Sequence, residues 1–141
     1  MHFGPTIGLL LSATVAAGSL SAQTPGLAQP VMIFFDSGKS EIRRDWAETL
    51  DAAIPSLRSQ SGALVAIDGH SDRSGTSSAN RQSSLRRAKA VRDYLVARGV
   101  PSDAIVVRGF GEERPLVATA DGVREPQNRR VDVRVSSAPG R

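Results

Sequence analysis

Two side chains of opposite charge set fifteen positions apart, Asp72 and Arg87, are the residues of this sequence best placed to do chemistry together. Asp72 lies in Ile67-Asp68-Gly69-His70-Ser71-Asp72-Arg73-Ser74-Gly75, which reads as the end of a buried strand entering a glycine-punctuated loop. Arg87 falls within the helix that the residues after Gly75 predict. A strand–loop–helix unit brings the end of the strand and one flank of the helix close in space. A carboxylate on the loop beside a guanidinium on the helix is the minimum equipment for gripping a zwitterion, an ammonium and a carboxylate on one small headgroup. From spacing alone, the same two residues could equally be a structural salt bridge tying loop to helix.

Other chemistries are poorly served. His70, next to the acid, invites a metal ion or a general base, but the only other histidine is His2 and there is no cysteine. A site with one histidine is poor for zinc, which takes three or four protein ligands. His70 therefore reads as a hydrogen-bonded residue that orients the loop, and neither metal nor cofactor is expected. His70, Ser71 and Asp72 are consecutive, whereas a hydrolytic triad needs members that converge beside an oxyanion hole. Glu112 and Glu113 have no partner acid at a defined distance, so no glycosidase pair can be argued. No catalytic residue is assigned.

The 141 residues suffice for one domain and an appendage. Basic residues outnumber acidic ones 18 to 14, and nearly all are arginine. Such an excess suits an anionic partner, but the charges are interleaved apart from the pairs Arg43-Arg44, Arg86-Arg87 and Arg129-Arg130. Aromatic residues are too few for a platform that stacks single-stranded nucleic acid. Ile7 to Leu20 is apolar and uncharged and is followed by Ser21-Ala22-Gln23, as in a secretory signal peptide over residues 1–22. An uncleaved anchor is the competing reading, although Ser12, Thr14, Gly18 and Ser19 dilute the run. Either way the remainder is exported to the periplasm or cell envelope, nucleic acid is a poor partner, and membrane contact follows only if the leader is kept. Without cysteine there is no site for a lipid anchor.

After a linker at 23–30, the elements that must position the charged pair follow in order. Val31 to Phe35 is a buried strand closed by Asp36-Ser37-Gly38. Ser40 is the expected cap of a helix with its apolar face at Trp46, Leu50, Ala53, Ile54 and Leu57. Pro55 should kink or end that helix, and Trp46 reads as a core anchor. Ala63 to Ile67 is a second strand, with Asp68 to Gly75 the loop. The second helix begins around Ser77–Asn80, turns Leu85, Ala88, Val91 and Leu95 inward, and stops at Gly99 in a left-handed cap. Ala104 to Val107 is a third strand, a polar loop runs from Glu112 to Gln127, and Arg130 to Val135 is a final strand with Val131, Val133 and Val135 on one side. Ser136 to Arg141 is a tail. The order β-α-β-α-β-β predicts an α+β two-layer sandwich, a mixed four-stranded sheet with two main helices on one face.

Three separated blocks within residues 31–136 resemble the OmpA-like peptidoglycan-binding domain of outer-membrane proteins, peptidoglycan-associated lipoproteins and flagellar stator subunits. They are Phe34-Phe35-Asp36-Ser37-Gly38-Lys39-Ser40; Gly69-His70-Ser71-Asp72 with Gly75, Asn80, Ser84, Arg87 and Ala88; and Gly109-Phe110-Gly111-Glu112 with Pro115, closing on Asn128-Arg129-Arg130-Val131. The resemblance implies that Asp72 binds the side-chain ammonium of diaminopimelate in the peptidoglycan stem and Arg87 its carboxylate. It implies polar contacts from Asn80 and Arg129 at the pocket edge, with Asp36 bordering it and Gly69, His70, Ser71 and Gly75 supporting the loop. Ser71 replaces the usual threonine and keeps the hydroxyl. Ser83 stands where the family has leucine, an apolar contact under the helix worth about 1–2 kcal/mol if buried. In each arginine pair at 86-87 and 129-130, one member should face the pocket and its neighbour elsewhere, with Arg86 a solvated surface charge.

The expectation is a non-enzymatic binder of peptidoglycan stems. The rival readings are a periplasmic assembly or regulatory module that docks on envelope proteins, and a wall hydrolase.

Overall fold

The computed structural model describes residues 29–59 and 62–137. The expected leader, nearly all of the linker and residues 138–141 lie outside them.

Alternation of apolar and polar residues decides which way each strand faces. Strands β1 (Val31–Phe34), β2 (Ala63–Gly69), β3 (Ile105–Gly109) and β4 (Arg130–Ser137) form one sheet in the order β1-β4-β2-β3. β4 runs antiparallel to both β1 and β2, and β2 runs parallel to β3. In register, Ile33 faces Val131, and Ile67 faces Val133 on one side and Val107 on the other. Those side chains point to one face and meet Leu50, Ala53, Ile54 and Leu57 of helix α1 (Arg44–Ser59) and Ala88, Val91 and Leu95 of helix α2 (Ser77–Val96) in a single core. The fold is the expected α+β sandwich with a mixed sheet. Among the described residues, no helix is long and apolar enough to cross a membrane.

The opposite face carries paired charged side chains. Asp68, only 1% exposed, is held by a forked contact from Arg108 (Nε 2.8 Å, Nη2 3.0 Å) and by Arg134. Asp132, across from Asp68 on β4, takes His70 Nε2 at 3.4 Å and Arg130 Nε at 3.1 Å. Burial alone would raise the Asp132 carboxyl; the His70 and Arg130 contacts outweigh it and hold the group below its usual range.

Several boundaries differ from expectation. Helix α1 begins at Arg44, so Ser40 does not cap it. The segment before it is held instead by Arg87, whose guanidinium takes the carbonyls of Asp36 and Lys39. Pro55 does not end the helix, which continues to Ser59. Burial of Ile54 and Leu57 on either side offsets the lost backbone bond, since tertiary packing supplies most helix stability. Asp68 and Gly69 belong to β2 rather than to the loop, because β3 and β4 flank them on both sides. Ser136 and Ser137, expected as tail, pair with Leu64 and Ala63 and extend β4 along the whole of β2. In α2, Leu85 is only half-buried, and Ser84 and Arg87 are buried in its place.

Close approach of α2 to the sheet depends on two glycines paired in register, Gly69 and Gly109. A Cβ on Gly69 would lie 1.9 Å from the Ser84 carbonyl oxygen, and one on Gly109 would lie 2.9 Å from Leu85 Cβ. The helix at Ser84 and Leu85, in its middle turns, therefore rests on bare backbone at the strand ends.

Candidate functional site

The loop from His70 to Thr76 is fixed by its neighbours before any ligand is considered. Its backbone is pinned at the strand end, where His70 N donates to the Arg130 carbonyl and Ser71 N to the Gly111 carbonyl, each at 2.8 Å. Thr76 then caps α2, its hydroxyl accepting from Ala79 N at 3.1 Å. Asn80, one turn into the helix, donates back to the Gly75 carbonyl at 3.1 Å. Gly75 allows that contact, because a Cβ there would lie 2.9 Å from Asn80 Oδ1.

Between this loop and the face of α2 lies a cavity of about 230 Å³, lined by Ser71, Asp72, Gly75, Asn80, Ser83, Arg86, Arg87 and Arg129. Asp72 and Arg87 both line it and make no hydrogen bond to each other. The acid's partner is Arg129, whose Nη1 lies 3.0 Å from Asp72 Oδ2. Ser74 donates its hydroxyl at 2.6 Å and its backbone N–H at 3.2 Å to Oδ1, and Glu125 N donates to Oδ2 at 3.2 Å. Burial raises the Asp72 carboxyl, but the donors from Ser74, Arg129 and Glu125 more than cancel it, so the group stays ionised below the usual carboxylate range.

Arg87 is 2% exposed, the largest of the fully buried side chains among the described residues. Its Nε donates to the Lys39 carbonyl at 2.9 Å, Nη1 to His70 at 3.4 Å and Nη2 to Asp36 at 3.3 Å. A guanidinium has five N–H donors, and these three bonds leave two for a ligand. Burial, then repulsion from Arg129, pushes its pKa down to about 10, with Asp72 opposing the change. The group remains a cation at neutral pH, solvated by carbonyl dipoles rather than by a counter-ion.

Other expected residues fall differently. Asp36 contributes its carbonyl to Arg87, while its half-exposed side chain lies 3.7 Å from Arg43 and does not line the cavity. A short turn after β1 sends that side chain outward. His70 likewise supports Arg87 through its carbonyl. Its ring lies on the far face of the sheet, stacked on Phe110 at 5.5 Å and paired with Asp132, because alternation along the strand end puts it on the side of Asp68. Arg129 and Arg130 do face opposite ways, toward Asp72 and Asp132. Arg86 and Arg87 do not divide as expected: exposed Arg86 also lines the cavity. Ser83 is half-buried on the cavity wall, so the family's leucine is not missing from a buried core.

Sequence reasoning did not place Ser74, Ser83 or Arg86 at the cavity and missed the Asp72–Arg129 pair. The pair joins residues 57 positions apart, and no local spacing signals it. Trp46, expected as a core anchor, packs against the core from a half-buried position and also walls a second cleft of about 330 Å³ with Phe34, Pro126 and Gln127. Phe34 and Trp46 are tilted rings 5.3 Å apart, and Arg129 borders both this cleft and the polar cavity.

Comparison with known proteins places these features in company. A sequence model of the OmpA family matches residues 34–129. The peptidoglycan-associated lipoprotein of Mesorhizobium japonicum is 35% identical over 133 residues, covering 90% of this chain and 79% of the relative. That of Rhizobium meliloti is 38% identical over 115 residues, covering 77% of this chain and 65% of the relative. The crystal structure of the peptidoglycan-associated lipoprotein from Burkholderia pseudomallei superposes with a TM-score of 0.69 at 28% identity, over 74% of this chain and 89% of that one.

Proposed function

The chain belongs to the OmpA family, and from that premise we propose that it binds peptidoglycan without catalysis and holds itself at the cell wall in the periplasm. The relatives named peptidoglycan-associated lipoprotein support the wall as partner. The observation that carries the finer reading is one cavity lined by both a carboxylate and a buried guanidinium that are not bonded to each other. In that reading Asp72 takes the side-chain ammonium of diaminopimelate and Arg87 offers its two remaining N–H groups to the adjacent carboxylate. Asn80 and Arg129 border the headgroup, and Asp36, Gly69, His70, Ser71 and Gly75 hold the frame.

Asp72 already accepts four hydrogen bonds, so an ammonium must displace one. The Ser74 hydroxyl is the donor that can rotate away with least disturbance. Each charge-assisted contact contributes about 1.5–3 kcal/mol net. After the cost of association and of the displaced donor, affinity for one stem is modest. A polymer that presents many stems raises retention at the wall.

Co-sedimentation with purified sacculi tests the reading. Asp72→Ala and Arg87→Ala should each lose binding while keeping the far-ultraviolet circular dichroism of the parent. Undiminished binding by both folded variants refutes it.

A further inference from the structure

The charge on the cavity exceeds what a zwitterionic headgroup needs. Its ionisable lining is three arginines, 86, 87 and 129, against one acid, Asp72, a net charge of +2. Arg129 is matched by Asp72, and Arg87 would be matched by the ligand's first carboxylate. Arg86 makes no ion pair or hydrogen bond among the described residues, and it lines the same cavity. Ser83, one turn before it, is half-buried on that wall, with a hydroxyl that bonds no described residue.

Helical spacing sets these groups in a row. Residues three and four apart share a face, so Asn80, Ser83, Arg86 and Arg87 run along one side of α2. From Asn80 to Arg86 the helix rises about 9 Å. The stem's glutamate is joined through its γ-carboxyl to the other amino group of diaminopimelate, so its free carboxylate sits on a carbon about nine bonds from the headgroup. That is an extended span of about 11 Å from bond lengths near about 1.5 Å, enough to run along this face from Asp72 and Arg87 to Arg86.

We propose that Ser83 and Arg86 form a second anion subsite, which takes a carboxylate on the stem residue next to diaminopimelate and so selects stems that are acidic there over stems that are amidated. The inference rests on the peptidoglycan reading and extends it to the class of stem. A short serine at position 83 leaves room for the carboxylate and supplies a donor to it, which a leucine would not.

The test titrates the protein calorimetrically with two soluble tripeptides. One is alanyl-γ-glutamyl-diaminopimelate with the glutamate α-carboxylate free, and the other carries that group as the amide. The parent should bind the acidic stem about tenfold more tightly, the scale of one charge-assisted contact. Arg86→Gln should bring the acidic stem down to the affinity of the amide and leave the amide unchanged. Ser83→Ala, which changes no charge, should weaken the acidic stem about threefold and spare the amide. Equal affinity of the parent for both stems overturns the subsite, as does equal weakening of both by Arg86→Gln. An Arg86→Gln effect with none from Ser83→Ala marks diffuse attraction and overturns it too. In each of these cases the peptidoglycan reading stands if Asp72→Ala abolishes binding. Failure of the parent to bind either stem overturns both.

Discussion

Replacing Asp72 by asparagine keeps the side chain's shape and removes only its charge. The consequence follows from the four donors around it: Ser74 N and Oγ on one oxygen, Glu125 N and Arg129 Nη1 on the other. Whichever way the amide is turned, its NH₂ group faces donors. The side chains of Asp72 and Arg129 are 5% and 12% exposed, so the arginine left behind is poorly hydrated. Removing one partner of a buried pair costs about 3–5 kcal/mol, and the isosteric amide, which keeps the acceptors on one side, should lie at the lower end, about 3 kcal/mol. Because the folded-state carboxyl sits below its unfolded value of about 3.9, the stabilisation is complete above that pH and is lost as pH falls through the folded value. Urea unfolding of the parent and of Asp72→Asn should therefore differ by a constant amount from neutral pH to about pH 5, and the curves should converge below about pH 4. In a double-mutant cycle with Arg129→Met, the coupling should exceed about 1.5 kcal/mol. A coupling within the additivity error of about 0.5 kcal/mol, or a gap that persists undiminished to the acid limit, would refute the reasoning.

Three further outcomes follow from the geometry. Gly69→Ala sets a Cβ against the Ser84 carbonyl and should cost about 4 kcal/mol or more, lowering the melting temperature by about 15 °C or more in a thermal scan. Asp68→Ala removes the acid shared by Arg108 and Arg134 on the face away from the cavity. It should lower stability by about 2–3 kcal/mol in urea while sacculus co-sedimentation is unchanged. Arg87→Lys keeps a positive charge but not the planar fork that spans three carbonyls, so retention on sacculi should fall at least about tenfold, a loss that charge alone would not produce.

What the sequence made legible was periodicity. The valines at 131, 133 and 135 and the α1 face at Leu50, Ala53, Ile54 and Leu57 announce their burial because repeats of two and of about 3.6 survive in one dimension. Gly99 announces its role because a left-handed residue after a helix wants no Cβ, and its φ is +95°. What stayed hidden depends on partners distant in the chain. Gly69 looked like loop punctuation, yet it is the end of a strand flanked on both sides, bare because α2 lies against it. Ser40 looked like a cap, yet its segment answers to Arg87, from a helix still to come. Local sequence could nominate Asp72 and Arg87 for one site. It could not show that the acid is held by Arg129 while the guanidinium of Arg87 is spent largely on main-chain carbonyls.

The position of β4 constrains when the domain can form at all. This strand, the last described element of the chain, lies between the first and the second, so β1 has no hydrogen-bonded neighbour until residues 130–137 are present. The pairing of Val31 with Val133 closes a loop of about a hundred residues, the kind of non-local contact that forms late. The sheet thus stays open until β4 is in place, with Arg129, just ahead of that strand, reaching Asp72 only as the sheet closes.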